Sequence, residues 1–378
     1  MALRVGIVGG GIGGLTAAIA LRARGFDVTV LERSASRESE GIALLVWANA
    51  VRALKKLGID LATIAAPIVH TQIRSDAGDV LCSLPIDDWS ASTGARSVAI
   101  RRPVLLRALA DAVPEGIVET GRAVSRFDRR GDHVTVSLSD GTSHDFDVLV
   151  GADGLSSVIR TQLLGDNPIR IMDQRLWVGL ARPRAGLLRD GITLATIGRG
   201  PRFWIAPLPN GEAFWFATFN RASALSDSPR EFLRGELAEW PAPIDEILEA
   251  TRNEDIIEAR SCDRAPSDRW GDGPITLLGD AAHASTPDLG QGACQAIESA
   301  SVLAECLARS NSDPVAGLRA YEKLRMDHTA TVSRMSWITS QNTTMESAML
   351  CAVRDAGIRV GLPSIARRNF AWLMEHAG

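Results

Sequence analysis

Apolar and polar positions along the chain change period twice. Residues 3–8 form a short apolar run, the pattern of a parallel strand buried on both faces. A glycine-rich turn follows, Gly9 to Gly14, then a helical stretch from Leu15 to Arg24 stopped by Gly25. Phe26 to Leu31 predicts a second strand, closed by Glu32 and Arg33. After the segment Gly41 to Asn49, a helix runs through Leu57 and ends at Gly58. Ser97 to Leu109 turns from strand into helix, with Pro103 near the helix start. Thr120 to Leu138 then alternates with period two, turning near Asp132, and Asp140-Gly141 is a hairpin signal. Asp145 to Val150 returns to the first sheet. Between 172 and 262 the texture is antiparallel: Leu176–Leu180, Ile192–Ile197, Arg202–Pro207 and Ala213–Phe219 read as strands, with a hairpin at 209–211. An apolar strand at Ile275–Leu278 and a helix from Gln295 to Ala308 resume the first texture, and the tail from Val315 is helical.

A chain of 378 residues exceeds what one compact core usually fills. The composition, 46% hydrophobic and 23% charged with net charge −4, is that of a globular protein, and nothing approaches the ~18 apolar residues of a membrane span. Five scattered cysteines without CxxC pairing argue for a reducing compartment and against a zinc site or disulfide framework. The first residues lack a signal-peptide cleavage region, so a cytoplasmic location is expected. The mild acidity and the lack of a basic run argue against a nucleic-acid partner.

Gly9, Gly11 and Gly14 fill the GxGxxG positions between strand and helix. The first permits the tight turn, the second lets backbone approach a pyrophosphate, and the third lets helix pack on strand. The helix N-terminus offers free N–H groups to phosphates. Glu32, about 20 residues on, suits ribose hydroxyls and disfavours NADP here by repelling a 2′-phosphate. The loop alone does not separate NAD from FAD. Arg102, at a strand-to-helix junction, could meet a phosphate or the adenosine portion, or remain a solvated surface arginine. A strand running into Gly151-Ala152-Asp153-Gly154 precedes a helix bearing Arg160. Downstream, another strand meets Gly279-Asp280, and Gly290-Gln291-Gly292-Ala293-Cys294 opens a long helix. Asp280 can bind a polyol hydroxyl, and that helix start suits the electron-rich N1–C2=O edge of a flavin.

GGGIGGL…LER, GADGLSSVIR and LLGDAAHASTPDLGQGACQAIE, in this order, resemble the three fingerprints of the single-component FAD-dependent aromatic hydroxylases. These group A flavoprotein monooxygenases have the para-hydroxybenzoate hydroxylase fold. The likeness runs from residue 3 to about 308 and leans toward the urate hydroxylase, salicylate hydroxylase and zeaxanthin-epoxidase-like branches. It implies an α/β protein: a Rossmann-like FAD-binding domain (1–171 with 263–325), a mixed antiparallel-sheet substrate domain (172–262) and a C-terminal helical segment (326–378). FAD would be the cofactor and NADPH or NADH a transient reductant. Reduced flavin would take up O2 as a C4a-hydroperoxide and hydroxylate a small aromatic or heteroaromatic substrate. The flavin carries that chemistry, so no catalytic side chain is assigned, and no metal is expected.

By the same resemblance, Gly9, Gly11, Gly13 and Gly14 contact the pyrophosphate and Glu32 the ribose, with Arg33 close by. Leu45 touches the cofactor through its backbone, Arg102 holds the pyrophosphate side, and Val124 flanks the adenine. Asp153 serves FAD packing and NAD(P)H approach, Asp280 the ribityl or pyrophosphate region. Gly292 and Ala293 donate N–H groups to the flavin, Pro287 lies over its face, and His283 is structural. Two departures touch fine contacts only: Ser299 stands where the third motif often carries a second acid, and Ala48 where this branch often has proline.

On the substrate side, aromatics concentrate in 177–219, and alternation puts Arg202, Trp204 and Ala206 on one face, Phe203 and Ile205 on the other. Arg202, Trp204, Trp215 and Pro287 are the expected pocket, suited to an anionic aromatic by charge pairing and stacking. The alternative is that these aromatics pack the back of the sheet. The single tyrosine, Tyr321, lies in a helical stretch, so no phenolic relay is expected. The tail is expected to pack on the FAD domain, with a membrane-associated or dimerising helix as the alternative, in a monomer or homodimer. Two other readings stay open: a halogenase, although Trp204-Ile205-Ala206-Pro207 only partly matches WxWxIP, and a redox-silent flavin- or ligand-binding protein.

Overall fold

The computed structural model describes residues 2–35, 41–165, 167–220, 228–310 and 312–375. The last three residues of the tail expected at 326–378 lie outside them. Five strands form a parallel sheet in the spatial order Ile275–Leu277, Val148–Gly151, Arg4–Val8, Asp27–Glu32, Val118–Thr120. Strands Arg4–Val8, Val148–Gly151 and Ile275–Leu277 are largely apolar on both faces because both faces are covered, which is why they read as continuous runs, whereas the edge strand Val118–Thr120 carries Glu119 and an exposed Thr120. Helix Ile12–Arg22 packs against helix Gly292–Arg309, so the two glycine-rich helix starts, remote in sequence, come together. A three-stranded antiparallel sheet (Val124–Arg130, His133–Leu138, Ser143–Phe146) packs on this domain, and Phe146 lies where a Cβ on Gly6 would be, 2.3 Å from its ring.

The second sheet has seven strands: Thr251–Arg264, Ile169–Ala181, Ala213–Phe219, Arg202–Pro207, Ile192–Ile197, His70–Ser75, Val80–Leu84. Two of them come from residues 70–84, which the sequence-based boundary assigned to the FAD domain. His70–Ser75 pairs parallel with Ile192–Ile197, a nonlocal partner that nothing within the segment announces. One face of this sheet closes over a core of Trp177, Phe203, Ile205, Trp215 and the helices 229–249. The other face looks toward the FAD domain.

The tail forms helices Pro314–Thr343, Ala348–Val360 and Leu362–Glu375. The first packs on helix Gly292–Arg309, as expected of the tail. The last two instead lie against strand Val80–Leu84, where Phe370, Leu373 and Met374 enter a core with Leu84 and Ile86. Among the described residues, no helix is long and apolar enough to cross a membrane.

Candidate functional site

A cavity of about 700 Å³ runs between the two sheets. At one end it is lined by Gly11, Gly13, Arg102, Gly154, Asp280, Gly292 and Ala293, and at the other by Trp204, Phe214, Phe216, Arg202, Asp288 and Thr343. Leu45, Trp47 and Pro287 lie along its length.

The glycine loop is shaped by sterics. Gly9 has φ +107°, and a Cβ there would meet the Ala152 carbonyl oxygen at 2.4 Å. A Cβ on Gly14 would sit 2.0 Å from the Gly9 oxygen, so helix and strand touch through backbone. Gly11 differs: a Cβ there meets nothing within 4 Å and would point into open space at the helix start. Glu32 ends its strand with Oε2 accepting from the Gly10 N–H (2.6 Å) and Oε1 from the Ser34 N–H (2.7 Å). Exposed Arg33 follows it; Glu32, Arg33 and Val124 do not line the cavity.

Asp280 faces the cavity, which is what makes its surface accessible, although protein surrounds it on all other sides. Burial raises its carboxyl pKa, opposed by the charge of Arg102. Among the described residues its carboxylate has no hydrogen-bond donor. An acceptor of that kind fits a polyol hydroxyl. The unfilled space at Gly11, the uncapped helix start at Gly292–Ala293 and Arg102 fit the phosphates and flavin edge of the same ligand. These residues therefore fit FAD.

Asp153 points elsewhere. Its carboxylate accepts from the Ser157 hydroxyl and from the Val158 (2.7 Å) and Ile159 N–H groups, capping helix Val158–Leu164, while its neighbours Ala152 and Gly154 face the cavity. His283 is buried with Nε2 against the Ser299 hydroxyl (3.1 Å); burial and the Arg325 charge push its pKa down to about 3, so its imidazole is neutral. Burial pushes the Cys294 thiol up to about 12, and its S–H faces the Leu45 carbonyl at 3.8 Å.

On the far wall, Trp204 stacks on Phe216 (centroids 5.6 Å, 22°) and meets Phe214 edge-on. Trp215 is a correction. It is 0% exposed on the opposite face, stacked on Phe203 and donating to the Thr251 hydroxyl at 2.9 Å. Register explains this: Trp204 pairs with Phe216, whereas Trp215 pairs with Ile205, a residue already assigned to the back face.

Arg202 is in the cavity wall, but its charge is not available as expected. Its Nη2 contacts the Asp288 carboxylate, Nε donates to Thr218 (2.8 Å) and Nη1 to Thr343 (3.0 Å). The Asp288 side chain is fully buried, and its second oxygen accepts no hydrogen bond among the described residues. Sequence reasoning missed Asp288, Thr71, Ile73, Thr339 and Thr343, which line the same space from separate segments. Only the acid two residues before Gly290 offered a local signal.

The fold and this site define a flavin-dependent oxidoreductase. The sequence matches the FAD binding domain family over residues 2–336, and the chain belongs to that family, among its FAD-dependent monooxygenases. It is similar to an aurachin C monooxygenase/isomerase of Stigmatella aurantiaca, 36% identical over 95% of this chain and 94% of that protein. An FAD-dependent urate hydroxylase of Klebsiella pneumoniae is 32% identical, with 85% of each chain covered. The crystal structure of Klebsiella pneumoniae HpxO complexed with FAD and uric acid superposes with TM-score 0.92 at 27% identity, covering 99% of this chain and 97% of that one.

Proposed function

We propose that this monooxygenase acts on an uncharged aromatic or heteroaromatic ring, held against Trp204 and Phe216. The observation that carries this reading is the Arg202–Asp288 pair. A guanidinium already paired with a buried carboxylate adds no net charge to the pocket, so an aromatic acid would enter without a counter-ion. Both Asp288 oxygens are sealed beneath the cavity wall, so the carboxylate acts on Arg202 and leaves the ring to apolar and stacking contacts. Apolar neighbours Leu45, Trp47, Ile73, Leu176, Val178 and Phe214 exclude water around the ring.

Bound FAD would supply the redox chemistry, taking electrons from NADH or NADPH and activating O2. Gly9, Gly11, Gly13 and Gly14 shape the pyrophosphate turn, with Glu32 and Arg33 toward the ribose, Val124 toward the adenine and Arg102 toward the phosphates. Asp280 holds a polyol hydroxyl, Leu45 lies along the ring, and Gly292 and Ala293 offer N–H groups to its edge. Asp153 acts through the helix it caps, fixing Gly154 beside the cavity. Trp204, Arg202 and Pro287 set the substrate's place over the flavin. The protein acts as a monomer or homodimer, and the cytoplasm is the expected compartment.

The test is a screen of neutral heteroaromatics, phenols, purines and aromatic acids for stimulated NAD(P)H oxidation, with mass spectrometry for a gain of one oxygen. Neutral ring compounds should give oxygenated product. A carboxylated aromatic turned over with higher kcat/KM than its uncharged analogue would overturn the reading.

A further inference from the structure

The two last helices carry an apolar surface that the cavity does not use. Among the described residues, five of the eleven exposed large apolar side chains lie on this one hairpin: Met349 (72% exposed), Leu350, Val353 (65%), Val360 (85%) and Ile365. Met349, Val353, Ala356 and Val360 follow the spacing i, i+4, i+7, i+11, so they form one outward stripe along helix Ala348–Val360. The opposite side is anchored. Cys351 is buried, Ile358, Leu362 and Phe370 pack into the core under strand Val80–Leu84, and the Arg354 Nη1 donates to the Gly198 carbonyl at 2.9 Å. The stripe is thus held outward by a docked helix and is not a frayed end.

Charge decides what covers it. The two helices, residues 348–375, contain four arginines (354, 359, 367, 368) and two carboxylates, Asp355 and Glu375, in a chain whose net charge is −4. Asp355 is taken by Arg354 (2.9 Å), and Arg359 has only a distant, exposed contact with Asp79 at 3.9 Å. Arg367 and Arg368 are exposed. A two-fold contact between copies would bring these cations together in excess over the nearby acids. A surface offering both hydrocarbon and negative charge satisfies both features at once.

We propose that this helical hairpin docks the protein reversibly onto an anionic lipid surface. The apolar stripe enters the headgroup–acyl boundary, and Arg359, Arg367 and Arg368 meet lipid phosphates. The hairpin also adjoins the substrate end of the cavity. Ile197 and Thr343 line it, and the next residues of each segment meet hairpin neighbours, Gly198 at Arg354 and Arg199 at the Glu346 carbonyl. An apolar ring compound dissolved in the bilayer would have a short path to the cavity. The docking claim stands independently of the substrate reading.

The test is flotation of the full-length, FAD-loaded protein with vesicles of phosphatidylglycerol and phosphatidylcholine, against phosphatidylcholine alone. Binding to the anionic vesicles should exceed that to neutral ones and fall with salt. Replacing Arg367 and Arg368 with alanine should lower the partition coefficient about fivefold for each arginine, equivalent to about 1 kcal/mol. Val353→Glu with Val360→Glu should reduce it at least tenfold while FAD content and NAD(P)H oxidation hold. A dye on Val353→Cys should shift blue when anionic vesicles are added, which checks the contact without the double variant. The proposal is overturned by any of three results: no flotation and no dye shift, flotation unchanged in Val353→Glu/Val360→Glu, or a wild-type dimer that this variant converts to monomer without vesicle binding.

Discussion

The two ends of the cavity are built by opposite means. At the FAD end, the chain supplies backbone. Two helix starts present N–H groups, glycines clear space for the ligand, and the Asp280 carboxylate accepts no hydrogen bond among the described residues. At the substrate end it supplies side chains from seven separate stretches, and their chemistry lies in pairings such as Arg202 with Asp288. A site made of backbone needs particular residues to be small at fixed spacing. A site made of side chains needs only a common face and leaves the sequence free elsewhere. Substitutions should therefore act on fold and cofactor at one end and on substrate at the other.

The largest effect expected is at the glycine loop, where two glycines three apart should behave differently. Gly14→Ala puts a Cβ 2.0 Å from a backbone oxygen that cannot move without separating helix from strand. It should destabilise by about 3 kcal/mol or more and leave little FAD-loaded protein. Gly11→Ala meets no protein atom within 4 Å, so the fold should hold within about 1 kcal/mol while FAD affinity drops at least tenfold. Thermal melts and flavin fluorescence on both variants measure the split. Equal FAD affinity in Gly11→Ala and wild type would show that nothing approaches that glycine.

That contrast also marks what could be read from sequence. Four of the five parallel strands, the glycine turns and the strands Ile192–Ile197, Arg202–Pro207 and Ala213–Phe219 announce themselves through local period and turn residues, and they stand where expected; the parallel edge strand Val118–Thr120 was not foreseen. The strand His70–Ser75 does not announce itself, because its own pattern is mixed and, beside its local partner Val80–Leu84, the strand that joins it to the sheet is more than a hundred residues away. The same holds at the site. Alternation was sufficient to put Trp204 in the wall, and applied one strand further it would have put Trp215 on the back. The neutralisation of Arg202 was beyond reach, since Asp288 arrives from a segment remote in sequence and only three-dimensional proximity joins them.

The tryptophans give the next prediction. Trp215→Ala empties a fully buried site and removes the bond to Thr251, and should cost about 3–5 kcal/mol with kcat/KM of the surviving holoprotein nearly unchanged. Trp204→Ala loses one stacked pair, about 1 kcal/mol, but should raise KM for the aromatic substrate at least fivefold with FAD affinity intact. Reversed effects, with Trp215→Ala altering KM and Trp204→Ala altering only the melt, would undo the assignment of the two sheet faces.

The smallest expected effect is the sharpest, because it has opposite signs in two states of one protein. Burial raises the Asp280 carboxyl pKa in the FAD-free chain. The folded chain then holds this proton more tightly than the unfolded chain, whose carboxyl titrates near ~3.9. Stability from this group is greatest in acid; it declines as pH rises from there through the raised folded value and stays lower above it. Asp280→Asn removes the titration, so the FAD-free variant should melt higher than wild type at neutral pH and lose less stability between acid and neutral. With FAD the order should invert. An amide is a weaker acceptor for the polyol hydroxyl than a carboxylate, and losing a charge-assisted hydrogen bond of about 1.5–3 kcal/mol weakens FAD binding by roughly ten- to a hundredfold. Melting curves with and without FAD at two pH values test both halves. A lower melt for the FAD-free variant would mean that the carboxylate is held by protein donors, and would remove Asp280 from the cofactor site.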